Sequence, residues 1–86
     1  MLTMKEIGEN IKKIREINNK SVYDLEKEIK ISHVLQYRWE KGLSEPSIIN
    51  CLKLANYYSI SIDELIGTEY QKIEHNTNIK YYKCKF

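Results

Sequence analysis

The sequence has few of the residues that carry catalysis or bind metal ions. Its 86 residues include two His, two Cys and two Asp. They form no Cys-x-x-Cys pair, no cluster with the spacing of metal ligands and no Gly-rich phosphate loop. Ser32 and His33 are sequence neighbours, which is not the geometry of a nucleophile and its base. We therefore predict that the protein is not an enzyme and that it needs neither a metal ion nor a cofactor.

Long apolar runs and export signals are also missing. No apolar run approaches the length of about eighteen residues that indicates a membrane span. The N-terminus lacks the pattern of a signal peptide. We therefore expect no membrane partner and a soluble, cytoplasmic protein in which Cys51 and Cys84 stay reduced.

The charge is nearly balanced, and its excess lies at one end. The net charge is +2, and residues 1–67 carry ten basic and ten acidic side chains. Four Lys and two Glu in residues 68–86 supply the whole excess. A nonspecific nucleic-acid binder usually has a larger positive field, so charge by itself is weak support for DNA binding.

Five helices are predicted within residues 1–67, which we assign to one domain. The first covers residues 4–17, where Ile7, Ile11 and Ile14 form an inward stripe at spacings of four and three. Asn18 and Asn19 end it, because Asn tolerates the left-handed conformation.

The other four helices are predicted from their caps. The second covers residues 22–28 and opens on a Ser-x-x-Asp capping box, and the third covers residues 33–41 after the N-cap Ser32. Ser47 caps the fourth, and a second capping box at residues 61–64 opens a short fifth helix that stops at Gly67. The side chains expected to point inward from the fourth helix are Ile48, Cys51, Leu52 and Ala55.

Residues 68–86 form a tail of different composition. Two segments rich in Tyr and Ile flank the polar residues 75–78, a pattern typical of two strands around a turn. Two strands alone are marginal in water, so this hairpin should pack on the helices or pair with a second copy of the chain. A frayed terminus is the alternative. We favour a structured tail that makes the dimer contact through Ile79, Tyr81, Tyr82 and Phe86.

Several short pieces occur in an order and spacing typical of one family. They read IGENIKKIRE, SVYDLEKEIKIS, RWEKG, EPS, LKLANYY and SISIDELIG. In this combination, residues 7–67 resemble the lambda-repressor-like helix-turn-helix family, of the Cro/cI or xenobiotic-response-element type. The resemblance implies an all-α, five-helix DNA-binding fold that usually acts as a dimeric transcriptional regulator.

The resemblance also implies roles for individual residues. Arg15 and Glu40 match a family pair that forms a structural ion pair between the first helix and the end of the third. Four residues of the third helix match positions that face base edges in the family: His33, Val34, Tyr37 and Arg38. Lys41 matches a position near a phosphate. In that setting His33 and Arg38 can donate to guanine, and Val34 could touch a thymine methyl group. The complete candidate set for DNA contact is Ser32, His33, Val34, Gln36, Tyr37, Arg38 and Lys41.

Departures from the family pattern concentrate around the second and third helices. Val22 replaces a phosphate-contacting Gln, Lys20 a buried Leu, Glu26 a small Ala and Lys30 the Gly of the turn.

Within the third helix, Gln36 occupies a position that is normally buried and branched, whereas Leu35 is apolar where the family is often polar. Either the third helix is rotated so that Ile31, Leu35 and Trp39 line the core, or Gln36 is buried with a partner. We favour rotation, because an unsatisfied buried amide costs about 1–3 kcal/mol. A rotated helix would leave Gln36 free to read adenine.

Two functions follow from these observations. The first is a sequence-specific DNA-binding transcriptional regulator of phage or mobile-element type, which binds double-stranded DNA as a homodimer. The second is a protein-binding inhibitor, such as a phage-encoded anti-CRISPR protein or antirepressor, that keeps the helix-turn-helix fold. The missing Gln, the acidic second helix and the neutral charge of residues 1–67 favour the second. The family resemblance favours the first, and we expect DNA to be the ligand.

Overall fold

The computed structural model describes residues 2–67, which form five α-helices. The tail, with its predicted hairpin and dimer contact, lies outside the described residues. The helices are α1 (Met4–Ile17), α2 (Val22–Ile29), α3 (His33–Glu40), α4 (Ile48–Tyr58) and α5 (Ile62–Ile66). The predicted order is confirmed, α1 has the predicted ends, and α2 and α3 differ from their predicted ends by one residue each.

Each helix begins at a side chain that satisfies its first free N–H groups. The Ser21 hydroxyl accepts from the backbone N–H of Asp24, and the Asp24 carboxylate accepts from the N–H of Ser21. A matching box joins Ser61 and Glu64 at the start of α5. A third box, at Thr3 and Glu6, opens α1 and was not predicted from the sequence. These caps place the helix starts where the sequence indicates them, because the donors of a first helical turn have no partner within the helix.

Left-handed residues end the helices or follow them closely. Gly42 and Gly67 have φ values of 74° and 90°, and Asn19 has a φ of 57°. Lys30 ends α2 with a φ of 61°, at the position where the family usually has Gly. An L-residue adopts this conformation at some cost in free energy. The turn between α2 and α3 nevertheless keeps its left-handed residue, although Lys30 stands where the family has Gly.

One core joins the helices. Ile11 of α1, Trp39 of α3 and Leu54 of α4 belong to it, together with Leu25, Ile31, Cys51 and Leu65. The predicted stripe of α1 is confirmed, since Ile11 is buried while Ile7 and Ile14 pack against the core. The only Trp, Trp39, is 2% exposed and lies in the core although α3 is not rotated.

The predicted inward face of α4 is half wrong. Cys51 and Ala55 are buried, but Ile48 is 77% exposed and Leu52 is also exposed. The buried stripe of α4 follows Cys51, Leu54 and Ala55 at intervals of three and one. Leu52 lies about 100° around the helix from Cys51 and so points away from the buried stripe. Ile48 is the first residue of α4, and its side chain lies outside the core. A helix as apolar as α4 carries more hydrophobic residues than its buried stripe can hold.

Gly8 sets the distance between α1 and α3. A Cβ atom built on Gly8 would lie 1.9 Å from the backbone oxygen of Trp39. Only a residue without a side chain allows this approach. The contact brings the end of α3 against α1 and so positions the helix that carries most of the candidate DNA contacts.

Candidate nucleic-acid interface

The helices α2 and α3 are joined by a short turn that presents α3 at the surface. Residues 30–32 connect them, and the side chain of Ser32 accepts from the backbone N–H of Val34 at 3.1 Å. Ser32 is therefore used as the N-cap of α3, and it is only partly exposed. Two helices joined by a short turn, with the second one exposed, are the arrangement that places a helix in the DNA major groove.

Gln36 lies in the core, which corrects the predicted orientation of α3. It is 1% exposed, whereas Leu35 is 40% exposed. Its Nε2 donates to the backbone oxygens of Val22 at 3.0 Å and of Ile31 at 2.9 Å. Burial is tolerated because both amide hydrogens have acceptors. The helix is therefore not rotated, and Gln36 cannot reach a base.

The hydrogen bonds of Gln36 link α2 to α3. One acceptor belongs to the first residue of α2 and the other to the turn before α3. The amide therefore connects the start of α2 to α3 across the core. Val22 itself is buried, so its side chain does not take over the phosphate contact of the Gln that the family has at this position.

The outward face of α3 combines apolar and basic side chains. Val34 is 55% exposed and Tyr37 is 41% exposed. Arg38 and Lys41 are also exposed, and within residues 2–67 neither side chain has an ion-pair or hydrogen-bond partner. One cation on the exposed helix and one at its C-terminal end are therefore available for phosphate or base contacts.

His33 is held by its neighbours. Its Nδ1 lies 2.8 Å from Oε1 of Glu26 on α2. Its ring centroid lies 4.7 Å from that of Tyr23, and the Tyr37 ring meets it edge-on with centroids 6.3 Å apart. Glu26, which replaces a small residue of the family, thus adds a second hydrogen bond between α2 and α3.

Lys20, which precedes α2, contacts one residue of α2 and one of α4. Its ammonium lies 3.4 Å from the Glu28 carboxylate and 5.7 Å from the centre of the Tyr57 ring. The Tyr57 hydroxyl donates to Glu28. The nearby hydroxyl of Tyr57 raises the pKa of Lys20, and the hydrogen bond that Tyr57 donates lowers the pKa of Glu28. The usual buried Leu is therefore replaced by a surface network between α2 and α4.

Arg15 and Glu40 form an ion pair between α1 and the last residue of α3. Nε of Arg15 lies 2.8 Å from one carboxylate oxygen, and Nη2 lies 2.9 Å from the other. Nη1 donates to the backbone oxygen of Lys20 at 2.8 Å. The hydrogen bonds to Glu40 raise the pKa of Arg15. Both residues have structural partners, so neither is a candidate for DNA contact.

Two contacts were not predicted from the sequence, Gly8 against Trp39 and Glu26 with His33. The burial of Gln36 with a partner was the alternative that we did not favour. Gly8 lies in a helix interior, where Gly is unfavourable, and this is a signal of close backbone approach. Glu26 and His33 are seven residues apart across a turn, so no helical spacing indicates their contact. The partners of Gln36 are backbone atoms, which leave no mark in a sequence.

Two absences apply to the part of the chain that the structure describes. No group of three or more His, Cys, Asp and Glu side chains is placed to hold a metal ion within residues 2–67. None of the five described helices has the length and apolar character needed to cross a membrane.

The comparisons with known proteins agree with this geometry. A family model described as helix-turn-helix matches residues 11–65, which is more than half of the chain. The chain belongs to the lambda-repressor-like helix-turn-helix family. No curated protein and no solved structure matches it. Membership identifies a DNA-binding transcription regulator of the Cro/cI type, from a family that is generally non-enzymatic.

Proposed function

We propose that the protein is a sequence-specific transcriptional regulator of phage or mobile-element type that reads double-stranded DNA through α3. The observation that carries this proposal is that the side chains of Arg38 on α3 and Lys41 at its end are exposed and have no partner within residues 2–67. Arg38 can donate two hydrogen bonds to guanine, and Lys41, just after the helix, can neutralise a phosphate. Val34 and Tyr37 add apolar contact, for which a thymine methyl group is a suitable partner.

A gel shift with the DNA upstream of the protein's own gene tests this proposal. Arg38→Ala should weaken specific binding by about 1–3 kcal/mol and relax the preference at one base position. Lys41→Ala should weaken binding to all sequences alike and reduce the salt dependence by about one unit. Lys13→Ala removes an exposed lysine of α1 and serves as the control. If the first two variants bind as the third does, α3 is not the reading element.

We also propose that the protein acts as a homodimer through its tail. A domain of this size covers about half of a two-fold operator, and two copies with recognition helices about 34 Å apart would cover both halves. The proposed contact residues, Ile79, Tyr81, Tyr82 and Phe86, have more apolar character than a chain terminus needs. A free strand edge would also be a template for a second copy.

Light scattering of the full chain measures the oligomeric state. The wild type should have the mass of two chains well above micromolar concentration, and a Tyr81→Asp, Tyr82→Asp double variant should have the mass of one. Ile48→Asp, which changes an exposed apolar residue of α4, is the control and should leave the mass unchanged. A monomeric wild type, or a dimer lost only in the control, contradicts the tail contact.

A second candidate function, a protein-binding inhibitor, is supported by the apolar character of the same surface. Tyr23, Val34 and Leu35 are exposed on α2 and α3. Residues 1–67 carry no net charge, and apolar groups are suited to a protein interface as well as to a methyl group. Absence of any gel shift at moderate salt, with the chain folded, would favour this function over the first.

A further inference from the structure

The bond between Glu26 and His33 determines which ring nitrogen carries hydrogen. An ionised carboxylate can only accept hydrogen bonds, so the 2.8 Å contact requires a hydrogen on Nδ1 of His33. In a neutral imidazole only one nitrogen carries hydrogen, and the other is an acceptor. Glu26 therefore leaves Nε2 of the neutral ring with a free lone pair.

The surroundings of the ring leave Nε2 as its available polar atom. Tyr23 and Tyr37 contact the ring, and the His33 side chain is 34% exposed. Within residues 2–67, no group hydrogen-bonds Nε2. His33 is the first residue of α3, on the helix that we propose enters the groove. The ring is thus oriented by three neighbours and keeps one acceptor.

We propose that Glu26 is a positioning residue for base selection, which makes His33 an acceptor that selects a base amino group and rejects guanine. This inference rests on the proposed function. Adenine and cytosine present an amino group in the major groove, whereas the major-groove atoms of guanine are both acceptors. An acceptor facing guanine leaves two unpaired lone pairs in contact. The guanine contact expected for His33 from the sequence is therefore replaced by a contact with cytosine or adenine.

The protonation of His33 can be measured without DNA. Nitrogen-15 NMR of the full chain at mildly alkaline pH should show His33 with hydrogen on Nδ1 alone, with His75→Asn used for assignment. Glu26→Gln should change this signature, because a glutamine amide can donate to Nδ1 as well as accept from it. Glu28→Gln makes the same chemical change on α2 at a residue that pairs with Lys20 and Tyr57, and it should leave the His33 signals unchanged. Hydrogen on Nε2 of the wild-type ring overturns the inference.

Base selection is measured on the same variants with a randomised DNA library at mildly alkaline pH. At the position whose preference is lost in His33→Ala, the wild type and Glu28→Gln should disfavour guanine by about tenfold or more. Glu26→Gln should reduce that factor to about threefold or less while the melting temperature and the preferences at other positions are retained.

The outcomes separate this inference from the proposed function. If DNA is selected and guanine is accepted at the His33 position, the inference is wrong and the proposed function stands. If no sequence is enriched by the folded protein, the proposed function fails and this inference fails with it. An equal loss of preference in Glu26→Gln and Glu28→Gln would show a general effect of charge and would also overturn the positioning role of Glu26.

Discussion

The guanidinium of Arg15 and the carboxylate of Glu40 meet through two parallel hydrogen bonds of 2.8 and 2.9 Å, between the first helix and the end of the third. Their side chains are 12% and 5% exposed. The pair therefore joins the helix that carries most of the candidate contacts to the body of the domain. The two hydrogen bonds keep both charges paired. Either charge without its partner would destabilise the fold, because the site is largely desolvated.

We expect Arg15→Met and Glu40→Gln each to lower the free energy of unfolding by about 3–5 kcal/mol, since each leaves a largely buried partner without its counter-charge. The double variant should lose less than the two changes added together, with a coupling energy of about 1–3 kcal/mol. Urea denaturation measures all three. The exposed pair Lys20 and Glu28 is the control, and its coupling energy should be much smaller than that of Arg15 and Glu40. Equal coupling in the two pairs would contradict a structural role for Arg15 and Glu40.

Gly8→Ala should destabilise the domain even though it adds a better helix former. The new methyl group would collide with the backbone oxygen of Trp39, and separating the helices should cost about 1–3 kcal/mol or more. The gain in helix propensity is only about 1 kcal/mol, so the loss prevails. Thermal denaturation compares this variant with Glu9→Ala on the exposed side of α1, for which little change is expected. A melting temperature that rises in Gly8→Ala would show that the approach of the two helices is looser.

Gln36 and Leu35 offer a direct test of the orientation of α3. Gln36→Leu removes both donors from the Val22 and Ile31 oxygens and should cost about 1–3 kcal/mol. Leu35→Gln places an amide at an exposed position and should change stability by about 0.5 kcal/mol or less. Denaturant titration of the two variants gives the order. The reverse order would restore the rotated helix expected from the sequence.

Tyr58 should make the domain sensitive to alkaline pH. Burial raises the pKa of Tyr58 from its ordinary value of 10.0 to about 12. The folded state therefore keeps the phenol proton longer than the unfolded chain, so this contribution to stability is complete below pH 10.0 and is lost as the pH rises to about 12.

Urea denaturation across that pH range should show a shallower loss of stability in Tyr58→Phe than in the wild type. At neutral pH Tyr58→Phe should lower the free energy of unfolding only slightly, because the Tyr58 hydroxyl is buried without a partner within the described residues. Leu35→Gln, which changes an exposed residue of α3 and removes no titratable group, should keep the wild-type slope. Identical slopes in all three proteins would mean that Tyr58 is accessible to water in the folded state.

The helices and their ends could be predicted because their causes are local. The hydroxyl of Ser21 meets an N–H three residues along the chain, and Gly42 needs only its own freedom to adopt a positive φ. The stripe through Ile11 follows from the period of a helix. The boundary of the domain at residue 67 and the role of the tail remain predictions, since they concern residues that lie outside the described part of the chain.

The exposed residues of α3 could not be predicted, because they depend on contacts between residues that are distant along the chain. The rotation of α3 predicted from the free energy of an unsatisfied amide is wrong, because Gln36 is satisfied. The two carbonyls that accept from Gln36 converge only when α2, the turn and α3 are folded. Glu26 and His33 meet for the same reason. The sequence alone determined where helices begin and end and which family the pattern resembles. The tertiary structure decided which side chains of α3 face outward, since burial and hydrogen-bond satisfaction depend on atoms that are distant along the chain.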